Sequence, residues 1–512
     1  MSNRAASLAS TLALPLALLL AGCVPASSGD GTTPPESGGS GGNLGSSATG
    51  GRSASGGDSG GTGGSPGSGG ASSASGGTKG SDPDRGGSGT GGAGESGQGG
   101  ATAGATGGTT GSSGDAGPAD APTSGPPLGN ELPPCGRTVQ VADAAALTPA
   151  ITGAMAGDCI VLADGTYPGF TITAKGTLTA PIVVRAANKL KAVMMGNVLM
   201  MGAEYVVAEG FTYPGMSSAI AQSSLGCRIT RSRFNSGVAR ANGTSKQTRI
   251  DHNEFGPKSS GDGHYIHATE SSEFSQIDHN YLHDATGGGM SRDAVSLGCC
   301  GPEFDYHETG NVFEYNLLVN CSSDAEYISI KSSSNKVRYN TFRRNGGTLT
   351  LRAGRKNEIY GNFFFGGGGI RAYEDDHKIW NNYIETGTAL AANGNGGGHA
   401  PLRRAIIVHN TFLGGVTITG AGHTIANNIG GGGGMGNLSM AAAGLVRKGE
   451  ILAAAATSGT VDKGVGTFPF LTDDLQGQPR DKADIGADEW STAPEVPLRR
   501  PLMPADVGPD AP

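Results

Sequence analysis

The sequence predicts an all-β fold, a right-handed parallel β-helix with an N-terminal capping helix, and three observations carry that expectation. First, a six-residue pattern recurs: IDHNEF at Asn253, IDHNYL at Asn280, FEYNLL at Asn316, VRYNTF at Asn340, IYGNFF at Asn362, IWNNYI at Asn382 and IVHNTF at Asn410, with weaker ends ITRSRF at Ser232 and IANNIG at Asn428. The intervals of 21, 27, 36, 24, 22, 20, 28 and 18 residues share a floor near 20, as stacked coils with fixed strands and variable loops require. Second, ISIK at 328–331 and LTLR at 349–352 repeat one order of apolar, hydroxyl, apolar and cation 21 residues apart, which reads as two short strands on successive coils. Third, strands at 138–141, 159–162, 170–172 and 182–185 enclose one amphipathic helix over 144–154, a cap that hides the terminal edge of a solenoid. A β-propeller would need repeats of about 40 residues, and a leucine-rich repeat would need leucine at fixed positions.

Taken in order, residues 1–22 read as a secretory signal: Arg4, an apolar run, then Leu20-Ala21-Gly22 before Cys23. That junction resembles the lipobox of bacterial lipoproteins. The resemblance implies lipid attachment at Cys23 and, with Val24 next, an exported lipoprotein of the outer membrane or cell surface, joined to the membrane through its N-terminal anchor. Residues 23–133 are Gly, Ser, Thr and Ala with scattered charges and too few apolar side chains for a core, so they read as a flexible tether. About 100 such residues would hold the folded part roughly 50 to 60 Å from its anchor. Residues 134–490 form the β-helix, with turns at Gly165 and Gly176, and 491–512 form a Pro-rich tail expected to be loose.

With Cys23 assigned to lipid, six cysteines remain, and an exported chain permits disulfides. Cys135 and Cys159, flanking the first helix, are the best pair; Cys300 and Cys321 lie one coil length apart. The formal charge of -8 argues against nucleic acid as a partner, and a monomer is expected.

The chemistry points to DAEYISIKSSSNKVRYNTFRRNGGTLTLR, residues 324–352. In parallel register Ile328 and Ile330 would lie inward over Leu349 and Leu351, leaving Lys331 beside Arg352 on an exposed face with backbones about 4.8 Å apart. Two cations that close oppose each other, and an anionic substrate gives a reason to keep them. A uronic-acid polymer is cleaved by β-elimination when a base takes the C5 proton, a positive centre neutralises the carboxylate and the leaving oxygen at C4 is stabilised. Lys331, Asp324, Glu326 and Arg352 supply residue types for each demand. Strict alternation would set Glu326 and Lys331 on opposite faces, so a bend near Tyr327 is expected. The recurrent asparagines, by contrast, read as a ladder satisfying backbone groups at one bend of every coil.

The stretch CSSDAEYISIKSSSNKVRYNTFRRNGGTLTLRAG, with GGGGIRAYEDDHKIWNNYIE after it, resembles the core of the family 6 polysaccharide lyases, which include alginate lyases and chondroitinase B. AGDCIVLADGTYPGFTI and DLQGQPRDKADIGADEW resemble the ends of that β-helix, so the resemblance covers most of 134–490. It implies that Lys331 is the base, Arg352 the acid or oxyanion stabiliser, and that Asp324 and Glu326 hold Ca2+. Arg371 and His377 match positions that bind sugar carboxylates, although a packed role for the histidine is an alternative. The chain departs from the family at Ala353, where histidine is common, at Asp324, where glutamate is usual, and at Met290, where an asparagine would be the third calcium ligand. Asp293 is the nearest substitute. The resulting expectation is a lyase acting on an anionic polysaccharide, alginate first and a sulfated glycosaminoglycan second. A surface glycan-binding or adhesive β-helix is the alternative, and a glycosidase built on Asp375-Asp376 ranks below both.

Overall fold

The computed structural model describes residues 128–259, 264–269, 271–287, 293–298, 306–392 and 399–512. Among these, three parallel sheets of thirteen, eleven and eleven strands wind into the expected right-handed β-helix. Each inner coil gives one strand to each sheet, and the two ends add a strand to the first sheet alone. From the site onward the chain runs through Glu326–Ile330 in the third sheet, Lys336–Arg338 in the first, Thr341–Asn345 in the second and Thr348–Leu351 in the third again. Ile328 pairs with Leu349 and Ile330 with Leu351, as the alternation requires, and all four side chains are buried in one continuous core.

The corners explain why the repeat centres on asparagine. Each ladder asparagine follows a residue at positive φ: His252, His279, Tyr315, Tyr339, Gly361, Asn381, His409 and Asn427 precede Asn253, Asn280, Asn316, Asn340, Asn362, Asn382, Asn410 and Asn428. A left-handed residue turns the chain sharply from the first sheet to the second and leaves backbone groups that no strand can pair. The asparagines pair them. Asn316 Nδ2 donates to the Ile277 carbonyl and to Asn340 Oδ1, and Asn340 Oδ1 also accepts the Asn316 backbone N–H. A second ladder lies five residues before the first, where the Asn311, Asn335 and Asn357 oxygens accept the N–H groups of Ser275, Asn311 and Asn335.

The N-terminal cap comprises the strand Arg137–Val141 and the helix Ala144–Thr152, whose N-cap Asp143 accepts from the Ala145 and Ala146 amides. The helix stops two residues short of 154, at Gly153, and Gly165, expected in a turn, begins the strand Gly165–Tyr167. Cys135 and Cys159 form the disulfide expected of them. Cys227 and Cys321 are buried thiols, whereas Cys299, Cys300 and Cys23, the residue expected to carry lipid, lie outside the described residues.

The packed unit is wider than 134–490. Leu128 is buried against Val183 and Val207, and the Leu128 and Gly129 carbonyls accept from the buried guanidinium groups of Arg249 and Arg228. The tail at 491–512, expected to be loose, packs back along the helix: Leu502 and Val507 are buried against Leu317, and the Gly508 amide donates to the His279 carbonyl. Its prolines limit the conformations open to the chain, and two buried apolar side chains suffice to dock it.

The residues before the tail hold buried acids around Arg480. Burial, with the Asp474 charge adding, pushes Asp488 up to about 7; burial likewise raises Glu489 to about 7 and shifts Asp474 and Asp484 upward. The folded chain therefore binds these protons more tightly than the unfolded chain, so the contribution of these acids to stability falls as pH rises from about 4 to about 7. Measured as the difference from Asp488→Asn, which removes one of these groups and leaves the other titrating residues in place, the parent's melting temperature is expected to fall between about pH 5 and about pH 8 in a fluorimetric melt. A difference that is flat or rises with pH would refute that assignment.

Candidate active site

The third sheet presents an outward row whose order follows from strand register: Arg240, His267, Ser296, Ser329, Thr350 and Arg371, one per coil. Each is the middle of a tripeptide with small or aliphatic flanks, ARA, IHA, VSL, ISI, LTL and IRA. The flanks face the core, and the middle residue faces the groove side.

Glu326 joins this face through the bend expected near Tyr327. The pairing with Thr348–Leu351 shifts register between Glu326 and Ile328, so Tyr327 and Ile328 both turn inward, Tyr327 packing near Phe342. A bulge of this kind reverses the alternation for everything before it. It sets Glu326 on the side of Lys331. Gly347 permits it, because a Cβ there would lie 2.5 Å from the Ala325 carbonyl carbon and 2.7 Å from the Glu326 nitrogen. Gly298 does the same for Lys331: at φ +92, a Cβ would stand 2.7 Å from the Lys331 carbonyl carbon.

Two ionic clusters result. In one, Glu326 Oε1 pairs with Arg371 Nη2, while Glu326 Oε2 lies 3.6 Å from Arg352 Nη1 and accepts no hydrogen bond. In the other, Lys331 Nζ lies 3.4 Å from Asp293 Oδ2, and the Asp293 carbonyl is 2.9 Å from His264 Nδ1. Burial pushes the Asp293 carboxyl up to about 6; Lys331 opposes the shift and the charges of Glu326 and Asp324 add to it. Lys331 is 17% exposed, Arg371 28% and Arg352 43%, so the three cations reach solvent from one face.

Five of the expected residues, Lys331, Arg352, Glu326, Arg371 and Asp293, thus come together. Asp324 stands at the margin, half-buried, accepting from the Ala325 amide and acting on Asp293 through its charge. His377 does not line the groove. It is fully buried as a rung of the second ladder, its Nδ1 accepting from the Asn357 amide and its Nε2 donating to the Tyr373 carbonyl, and burial holds it down to about 4. The alternative of a packed histidine is the one realised. Asp375 and Asp376 are likewise engaged, by Arg403 and Arg404.

Among the described residues, the donor set does not fit calcium. That ion takes six to eight oxygen ligands, whereas both Glu326 oxygens face guanidinium groups and Asp293 faces an ammonium. Met290 lies outside the described residues. Among the described residues, the one trio of metal-type ligand atoms within 4.8 Å of one another is His252, Asp278 and His279, away from these strands, and the His252 nitrogens already face Asp251 and the Pro512 carbonyl oxygen.

Comparison with known proteins agrees with this fold. Residues 231–400 match the family model described as Chondroitinase B. Among solved structures, the PL6 family alginate lyase AlyGC is 22% identical, with 70% of this chain and 59% of that one covered and a TM-score of 0.52. A mannuronic acid specific polysaccharide family 6 lyase from human gut microbiota is 24% identical, with 60% and 83% covered and a TM-score of 0.50. The chain therefore spans less than two thirds of the length of AlyGC. No curated protein matches. The chain thus has the β-helical fold of these family 6 lyases, and the segment that matches the chondroitinase B model holds Asp293, Glu326, Lys331, Arg352 and Arg371.

Proposed function

We propose that the chain is a polysaccharide lyase that cleaves a uronic-acid polymer by β-elimination. The observation that carries the reading is the gathering of Lys331, Arg352 and Arg371 on one face, inside the segment that matches the chondroitinase B model. The neutral amine of Lys331 takes the proton from C5 of the uronate. The electrons of that C–H bond form the C4–C5 double bond, the C4–O bond breaks, and the leaving oxygen, its charge met by Arg352, takes a proton from water. Arg371 and Arg352 share one carboxylate, Glu326, which leaves positive charge for the substrate carboxylate. Calcium, expected of Asp324, Glu326 and Asp293, is given no step. Alginate is the first substrate, since the similar structure AlyGC is named an alginate lyase and the gut family 6 lyase is named for mannuronic acid, and a sulfated glycosaminoglycan is the second. The lipid anchor at Cys23, an outer-membrane or cell-surface location and a monomeric state complete the proposal.

The test is ultraviolet absorbance of the unsaturated uronate, using polymannuronate, polyguluronate and dermatan sulfate with and without chelator. The expected result is product from one polymer at a rate that chelator leaves unchanged. Loss of activity in chelator, restored by calcium, would overturn the metal-free reading. Binding of a polyuronate without product would replace the lyase by the adhesive β-helix.

A further inference from the structure

Tyr306 is the one exposed tyrosine among the described residues, at 47%, and it stands beside the cations of the third sheet. Glu308 bridges Ser333, and the Ser333 amide donates to the His307 carbonyl. Counting back two residues on each side, the chain returns to the coil with Tyr306 level with Lys331. From there the side chain reaches across the Arg352 coil. Its hydroxyl donates to Glu374 Oε2 at 3.2 Å, and the Arg355 guanidinium lies 4.0 Å from the ring centroid.

Glu374 is placed to hold it. The residue is 7% exposed, and its other carboxylate oxygen accepts the Ala400 amide. It follows Tyr373, which stands next to Arg352 in strand register, the Tyr373 amide donating to the Leu351 carbonyl. His399 lays its ring against Tyr373 with centroids 5.1 Å apart, and the Arg371 guanidinium lies 5.8 Å from the same ring. Glu374 therefore anchors Tyr306 at the margin of the face that carries Lys331, Arg352 and Arg371.

A cation over an exposed ring contributes little by itself, so the contact with Arg355 does not account for leaving nearly half of a tyrosine open. Fixing the ring does have a consequence for binding, because a side chain already held in place loses little further freedom on contact. Tyrosine combines flat apolar area with a polar tip. Here the tip is committed to Glu374, so the ring supplies contact area and no proton. A pyranose has the matching surface, since its axial C–H groups form an apolar face while its carboxylate projects from the ring edge toward the cations.

We propose that Tyr306 is a substrate-binding residue, its ring packing on the C–H face of the uronate held at Lys331, Arg352 and Arg371, and that Glu374 is the positioning residue that sets the ring. This rests on the polyuronate reading above and adds to it a contact that selects for ring shape where the cations select for charge.

Calorimetry with a mannuronate oligosaccharide, on the full chain in a Lys331→Ala background so that nothing is cleaved, tests it. Tyr306→Ala is expected to raise Kd about tenfold, and Tyr306→Phe, which keeps the ring, to stay within about threefold. The ratio of alanine to parent is expected to hold from low to high salt because the contact is apolar, although affinity itself falls as the cations are screened. Glu374→Gln offers one acceptor oxygen where Tyr306 and Ala400 need two. It is expected to weaken binding about threefold in the chain that keeps Tyr306 and to add nothing in Tyr306→Ala. Melting temperatures establish that each variant is folded. Equal affinity for Tyr306→Ala and its parent, equal losses from alanine and phenylalanine, or a ratio that collapses at high salt would overturn the proposal. The same Glu374→Gln loss in both chains would remove Glu374 from it. Product formed by the unsubstituted chain together with equal binding by Tyr306→Ala would sink this contact and leave the lyase standing. Tyr306-dependent binding without any product would sink the lyase and leave the contact.

Discussion

Replacing Lys331 by alanine is expected to lower the rate of unsaturated-uronate formation by about 10^2- to 10^4-fold, the usual contribution of a positioned base. The amine is placed by the backbone, since Lys331 follows directly on the buried strand Glu326–Ile330 and Gly298 leaves no room for displacement on the neighbouring coil. Lys331→Arg is expected to fail as alanine does, because a guanidinium keeps its proton at any working pH. Stability gives the control. Asp293 is buried and its carboxyl is raised to about 6 although Lys331 pulls it down, so with the ammonium gone the carboxyl rises further; it holds its proton at low pH, and the cost of a lone buried charge appears only at higher pH. The alanine variant is therefore expected to melt near the parent below about pH 5 and below it at about pH 8. Full turnover in the alanine variant would place the base elsewhere.

The coil architecture was legible because its signals are local. The asparagine repeat marks the corner, and alternation in ISIK and LTLR gave both the inward set and the need for a bend at Tyr327. The ion pairs were not legible. Lys331 meets Asp293 across 38 residues and Glu326 meets Arg371 across 45, so the sequence could name these residues but not their partners, and it grouped the acids around a metal. His377 obeys a second period: it stands five residues before Asn382, the offset of Asn335 from Asn340 and of Asn357 from Asn362, which puts it in a buried ladder and not in the groove. Arg240 and His267 likewise occupy the middle of tripeptides in register with ISI, yet lie outside residues 324–352. At the tail, proline content suggested looseness, but Leu502 and Val507 find apolar surface that only the folded coils create.

Asn340→Ala is expected to cost about 3 to 5 kcal/mol, a loss in the range of a broken buried network. Its Nδ2 donates to the Phe313 and Arg338 carbonyls and to Asn362 Oδ1, and its Oδ1 accepts from the amide and the side chain of Asn316. Alanine leaves these groups dry and unpaired, at about 1 to 3 kcal/mol each before relaxation. Aspartate does no better, because it sets a carboxylate against two carbonyl oxygens. Urea titration with a probe in the central coils measures the loss, since a stacked solenoid need not unfold in one step. The consequence reaches the chemistry. Asn340 lies in the coil that separates Lys331 from Arg352 along the chain, and that coil fixes their register through the pairs Ile328 with Leu349 and Ile330 with Leu351. Turnover is therefore expected to fall along with stability although Asn340 touches no substrate. Asn428→Ala, near the end of the ladder with a 3.4 Å contact to Asn437, should cost less and leave turnover intact. Equal losses of activity from both would mean that the ladder sets overall stability alone, whereas loss confined to Asn340 would show that the spacing of the two cations is held by a corner on the far side of the coil.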